Sequence, residues 1–184
     1  MANLNRNCDP RRHAWLMTDA RIDAVLFATL RRLPPGAGVV VRHHHLSAVE
    51  RHRLVLRIRR IAHARRLRIS AAGALPGAPS HSGPRALTYA AHDRRQAIAG
   101  VRAGAAWLFV SPVHATRSHP GAAPLGLRRA STIARGLAAN RVALGGMTAA
   151  RWLASRDLGF DGWAAIDGLT QRRPSDQKRK AVPT

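Results

Sequence analysis

The sequence predicts an α/β fold: a TIM-type (β/α)8 barrel, trimmed or degenerate around its fourth strand. Three observations carry this reading. Short apolar runs of strand length alternate with segments of helical period, the pattern of a parallel sheet with crossover helices. Seven such runs are plain, and a weak eighth position completes a closed set. The 184 residues allow one domain with one core, shorter than the ~250 residues typical of such barrels.

The first strand is the apolar run His13 to Thr18, and Ile22, Leu26, Leu30 and Leu33 follow at helical spacing. Pro34-Pro35-Gly36 ends that helix. Gly38 to Arg42 is a β-branched second strand. Ser47 and Glu50 then form a capping box that opens the clearest helix, with Leu54, Val55, Ile58, Ile61 and Ala62 on its apolar face. Arg53, Arg57 and Arg60 on the opposite face read as a solvated surface. Leu67 to Ala72 is the third strand.

The alternation then breaks. Gly73 to Pro84 is rich in Gly, Pro and Ser and has no room for a full helix, so Ala78 to Ser82 is left to supply a degenerate fourth strand. Ala86 to Ala91 is the fifth strand, followed by a helix from Asp93 to Ala103. Trp107 to Val113 is the sixth strand, His114 to Gly126 a long loop, and Leu127 to Ala138 a helix. Val142 to Leu144 is the seventh strand and ends in Gly145-Gly146. Thr148 caps a helix to about Leu158, and Trp163 to Ile166 is the last strand. The expected division is a flexible N-terminus over 1–12, a barrel domain over 13–170 and a disordered basic tail over 171–184.

The formal charge of +22 invites a polyanion partner. Its source argues otherwise. Of the 31 basic residues only Lys178 and Lys180 are lysines, and the arginines are spread along the chain as a biased composition would spread them. Aromatic residues make up 4%, which leaves little to stack bases on, so nucleic acid is not the expected partner. A lone Cys8 makes no internal disulfide and has no histidine arrangement around it. No run of about 18 apolar residues predicts a membrane span, and Met1 to Arg12 lacks the apolar region of a secretory signal, so a cytoplasmic location is expected. No pattern in the sequence specifies an oligomeric state.

The segment from Ser111 to Gly126 is the richest in chemistry. It follows a strand and precedes a helix, so it belongs at the C-terminal mouth of a barrel, where active sites are built. Thr116 and Ser118 offer hydroxyls, Arg117 and His119 offer cations, and Gly121 permits close backbone approach. Those types together suit an oxyanion such as phosphate. Gly145-Gly146, at the end of strand seven, frees backbone N–H groups and tolerates positive φ, at the usual phosphate end of this fold. The run His43-His44-His45 suggests a metal, but alternate strand residues share a face, so at most His43 and His45 converge. They are read as polar loop residues, with no metal site assigned.

The segment from Ser111 to Gly126 resembles the thiamine phosphate synthase and TenI-type family, which carries a Ser/Gly-Pro-Val-Phe-Pro-Thr-x-Thr-Lys stretch often followed by Pro-Gly-Ala-x-x-Leu-Gly. Three further stretches agree in order. Arg42 to Ser47 stands where the family has Gln-x-Arg-x-Lys and Leu-Ser, Ala91-His92-Asp93 where it has a Ser-x-His segment, and Val142 to Thr148 matches its Val-x-Ile-Gly-Gly-Ile run. The resemblance spans about Trp15 to Leu169. It implies coupling of a pyrimidine methyl pyrophosphate to a thiazole phosphate, with these small phosphates as partners. It assigns Arg42 and His119 as catalytic residues. Thr116, Arg117 and Ser118 are assigned to pyrophosphate, and Gly145 and Gly146 to the thiazole phosphate.

The departures are specific. The family's synthases hold Mg²⁺ through an Asp after strand three and another after strand four. Here those places read Ser70-Ala71-Ala72-Gly73 and Ser80-His81-Ser82-Gly83, without a carboxylate. The resemblance implies Mg²⁺, yet its ligands are missing. The family's Gln is Val40, its first Lys is His44, its second is His119, and its phosphate-binding Ser after strand eight is Asp167. In the tautomerase branch a catalytic His stands where this chain has Pro112, which leaves His114 as a substitute. The expectations are therefore a synthase-like protein with reduced or lost activity. The alternatives are a non-catalytic phosphate-ligand binder or TenI-type tautomerase, and, in another class, a polyanion-binding protein.

Overall fold

The computed structural model describes residues 9–73, 75–118, 121 and 123–170. Eight parallel strands close into one barrel in sequence order: β1 (Ala14–Met17), β2 (Gly38–Val41), β3 (Arg68–Ala72), β4 (Ser80–His81), β5 (Thr88–Ala91), β6 (Trp107–Val110), β7 (Asn140–Leu144) and β8 (Gly162–Ala165). Closure is made by β1, which pairs Trp15 with Gly38 on one edge and with Ala164 on the other. β1, β2 and β8 are buried at every residue, as expected of parallel strands covered on both faces.

The helices between the strands are α1 (Leu26–Arg32), α2 (Ala48–Ala64), α3 (Arg94–Arg102), α4 (Leu127–Ile133) and α5 (Ala149–Ala154), with a final turn α6 (Asp167–Thr170) after β8. The capping box of α2 is present on both sides: Glu50 N donates to Ser47 Oγ, and the Glu50 carboxylate accepts from Ser47 N. Val55, Ile58 and Ala62 carry its buried stripe. Gly38 is a packing glycine. A Cβ there would lie 2.2 Å from the Trp15 ring, so the indole fills the space a side chain would take.

Several boundaries differ from the sequence reading. The helix expected across Ile22–Leu33 is split into a 3-10 turn at Ala20–Ile22 and α1, because the Asp19 side chain accepts from Arg21 N and starts the chain turning early. The helix expected to reach Ala138 stops at Ile133, and Gly136 takes the left-handed conformation (φ 72°) just beyond it. α5 ends at Ala154 and a 3-10 turn at Arg156–Leu158 completes that segment. The fourth strand does form, within the Ala78 to Ser82 stretch, but it is only two residues long.

A 3-10 turn at Pro10–His13 closes the N-terminal end of the barrel, where Trp163 Nε1 donates to the Pro10 carbonyl at 2.9 Å. This turn overlaps the stretch 1–12 that the sequence reading gives to the N-terminus and takes in His13, which that reading places in the first strand. Cys8, His119 and the expected basic tail over 171–184 lie outside the described residues. Among the described residues, no helix is long and apolar enough to cross a membrane.

Candidate functional site

A cavity of about 440 Å³ opens at the C-terminal end of the strands. Its wall is built from the ends of β1, β2, β5, β6, β7 and β8, so residues far apart in sequence meet there. Arg42, Thr116, Arg117, Ser118, Gly145 and Gly146 all line it. The structure thus brings together six of the seven site residues assigned from sequence, and the seventh, His119, lies outside the described residues.

The loop after β6 is tied to the end of β7. Val113 N donates to the Leu144 carbonyl at 2.8 Å and His114 N to the Gly145 carbonyl at 3.1 Å. This pairing presses the loop against the glycine turn. A Cβ at Gly146 would lie 2.7 Å from the Ala115 carbonyl, and one at Gly145 would lie 3.0 Å from Val113 N. Both residues have positive φ, 104° at Gly145 and 60° at Gly146. The two glycines are therefore required by conformation and by close approach together. The Ser111–Pro112 peptide at the start of this loop is cis.

A connected set of charges crosses the mouth. Arg42 Nη2 donates to Asp19 Oδ2 at 3.1 Å, and Arg21 Nε donates to Asp19 Oδ1 at 3.0 Å. Arg21 Nη2 also donates to Ser118 Oγ at 2.9 Å. Arg117 Nη2 meets Asp167 Oδ2 at 2.8 Å, and Arg21 Nη1 lies 3.8 Å from the same oxygen. Burial opposes the charge on Asp19, but hydrogen bonds and charge from Arg21, with the charge of Arg42, outweigh it and hold the carboxyl below its ordinary value. Burial also pulls the Arg42 guanidinium below its ordinary value, and the Asp19 charge offsets part of that. Asp167 belongs to this network as a paired carboxylate; its charge does not face the cavity alone.

Sequence reading missed Asp19 and Arg21. The available signal was Thr18-Asp19 directly after the first strand, a helix-start pattern at the mouth end. His92 also lines the cavity. Its Nδ1 lies 2.8 Å from the Ser111 carbonyl. A carbonyl only accepts, so Nδ1 carries the hydrogen and donates it. His114, the substitute expected for a tautomerase, is not among the lining residues. Its Nε2 is buried without a hydrogen-bond partner.

The residues at the ends of β3 and β4 and just beyond them do not fit a divalent cation. Mg²⁺ requires hard oxygen ligands, chiefly carboxylates. Those positions carry Ser70, Ala71, Ala72 and Gly73, and Ser80, His81, Ser82 and Gly83. Two carboxylates of the mouth, Asp19 and Asp167, are paired with guanidiniums. Among the described residues no group of three or more His, Cys, Asp or Glu could hold an ion. His43 and His45 do converge, with ring centroids 5.5 Å apart. Both ring nitrogens of His43 are nonetheless occupied, by Thr18 Oγ1 at 2.8 Å and Asp23 Oδ1 at 2.7 Å.

Fold and mouth together define a (β/α)8-barrel protein with an arginine-lined cavity at the C-terminal end of its strands. Residues 79–169 match the family model described as thiamine monophosphate synthase (TMP-TENI), so that stretch is similar to the thiamine phosphate synthase and TenI-type family. Similar solved structures include a thiamine phosphate pyrophosphorylase from Pyrococcus furiosus, with a TM-score of 0.70 and 16% identity over 86% of this chain and 87% of that one. A thiamine phosphate pyrophosphorylase from Bacteroides thetaiotaomicron gives a TM-score of 0.52 and 18% identity over 84% of this chain and 82% of that one. At such identities these structures show the shared fold. No curated protein matches the sequence.

Proposed function

We propose that the mouth binds the phosphate group of a thiazole or pyrimidine phosphate, in a synthase-like protein whose Mg²⁺-dependent coupling activity is reduced or lost. The observation that carries this reading is the convergence of Arg42, Thr116, Arg117, Ser118 and the Gly145-Gly146 turn on one cavity. Guanidiniums bind phosphate oxygens in a bidentate way, and hydroxyls with backbone N–H groups complete an anion cradle. Ground-state binding needs no more than that. Coupling asks for preorganised charge at a leaving pyrophosphate, and one such contact is worth ~3 kcal/mol. The loops after β3 and β4 offer no carboxylate for the metal that supplies this charge in the family.

The test pairs binding with turnover. Thiazole phosphate should raise the melting temperature of the purified protein, while thiamine phosphate formation with Mg²⁺ should stay at least about a hundredfold below ordinary enzyme rates. Turnover at ordinary rates would show that other residues hold the metal.

One observation favours a TenI-type tautomerase as the second reading. His92 lines the cavity with its Nδ1 held by the Ser111 carbonyl, which leaves Nε2 as the ring nitrogen that can exchange a proton with a ligand. Proton exchange from a thiazole phosphate ring carbon, measured in deuterated buffer and lost in His92→Asn, would support it.

A further inference from the structure

The two carboxylates of the mouth are held in unlike ways. Asp19 accepts from Arg21 through backbone and side chain and from Arg42 through its other oxygen, and its side chain is 26% exposed. Asp167 meets both of its arginines through Oδ2 alone; its side chain is 37% exposed and that of Arg117 is 74% exposed. Asp19 is thus a fixed part of the scaffold, and the Asp167–Arg117 pair is the network's most exposed link. So exposed a pair contributes little to stability and exchanges readily.

We propose that Asp167 is a specificity-determining residue. It acts as a tethered counter-anion for Arg117 and Arg21, and so selects multiply charged head groups, phosphate or pyrophosphate, over carboxylates. This rests on the reading of the mouth as a phosphate site.

The selection follows from competition for the same guanidiniums. A ligand carboxylate offers Arg117 the chemistry that Asp167 already supplies. The ligand must also give up translational freedom, whereas Asp167 is held at an effective concentration set by its short tether. A singly charged carboxylate therefore gains nothing by displacing it. A phosphate dianion brings a second charge and a third oxygen, enough to engage Arg117 while Thr116 and Ser118, in the same cavity, supply hydroxyls. Released, the half-exposed Asp167 side chain can turn to water.

The experiment is calorimetric titration of the full chain with inorganic phosphate and, separately, with acetate. It compares the parent with Asp167→Asn and Asp167→Ser, each first shown by its melting curve to fold. Two variants keep the test available if one of them does not fold. The parent is expected to bind phosphate and discriminate strongly against acetate. In the variants phosphate should bind roughly two- to fivefold tighter, the fold-change of a half-exposed charge pair. Acetate should gain by a larger factor, so the discrimination shrinks. Folded variants that bind phosphate no more tightly than the parent, or that keep the parent's phosphate-to-acetate ratio, would overturn the proposal. If all three proteins fail to bind phosphate, the reading of the mouth itself falls, and the proposal falls with it.

Discussion

Two arcs of this barrel reach the same closure by different means. Along β5, β6 and β7 each neighbouring pair shares a four-residue register, from Thr88↔Trp107 to Ala91↔Val110 and from Trp107↔Asn140 to Val110↔Ala143. Helices follow these strands, and Leu108, Phe109 and Val110 are fully buried. On the other side β4 meets β3 only through Ala71↔Ser80 and Ala72↔His81, and meets β5 only through His81↔Thr88. No helix is described between β3 and β5. Side chains support the missing ladder from within: Thr88 Oγ1 lies 2.7 Å from Ser70 Oγ and 2.8 Å from His81 Nδ1. One hydroxyl on β5 thus joins three strands. A barrel can lose most of a strand if buried polar groups restore the cross-links, at the cost of making every member of the network necessary.

Phe109 touches both arcs. Its ring meets Trp15 at 5.3 Å and His81 at 5.4 Å, edge to face in both cases. Phe109→Ala should therefore show the largest effect, ~3–5 kcal/mol of stability by chemical denaturation. A loss under about 1 kcal/mol would mean that the two arcs are not coupled through this ring.

Thr88→Val keeps the shape and removes the hydroxyl, leaving Ser70 and His81 without it. A cost of about 1–3 kcal/mol is expected, with faster amide exchange confined to β3, β4 and β5. Equal acceleration in β6 and β7 would erase the distinction between the arcs.

The same network predicts a pH dependence. Burial, reinforced by the nearby charges of Arg42 and His44, lowers the His81 pKa to about 4 from its ordinary 6.5. The unfolded chain binds this proton more readily than the folded one between those values. Stability from this group is fully present above 6.5 and is lost as the pH falls towards 4. The loss should be on the order of 1–2 kcal/mol after solvent screening, and His81→Gln should flatten that part of the stability curve. An unchanged curve would place the ring in water.

The smallest effect belongs to the regular arc. Thr148 Oγ1 accepts from Arg151 N at the start of α5, and Thr148→Ala should cost ~1 kcal/mol without disturbing β4.

Legibility followed the same division. Where pattern and packing agree, as at the Ser47–Glu50 capping box or the apolar run of β2, the sequence was sufficient. The glycine turn and the loop after β6 were readable because their residue types had few other uses. β4 was readable only as a gap, since a two-residue strand has no period. The mouth network was only half readable. Arg42, Arg117 and Asp167 could be named singly, with Asp167 standing where the family has a phosphate-binding Ser, but the arginines that pair with it could not be assigned. Its partners come from β1 and β6 ends that only closure brings together, and Arg21 carries no local mark of a binding role.

The pairing of β1 with β8 also sets an order of events in time. Trp15 waits for Ala164, and at about 5–20 residues per second their separation corresponds to roughly 7–30 s of synthesis. During that interval one edge of β1, Ala14 to Met17 and apolar at every residue, has no strand to pair with. A growing chain of this kind is most vulnerable to association just before its last strand leaves the ribosome, when nearly all of the barrel exists and none of it is yet closed.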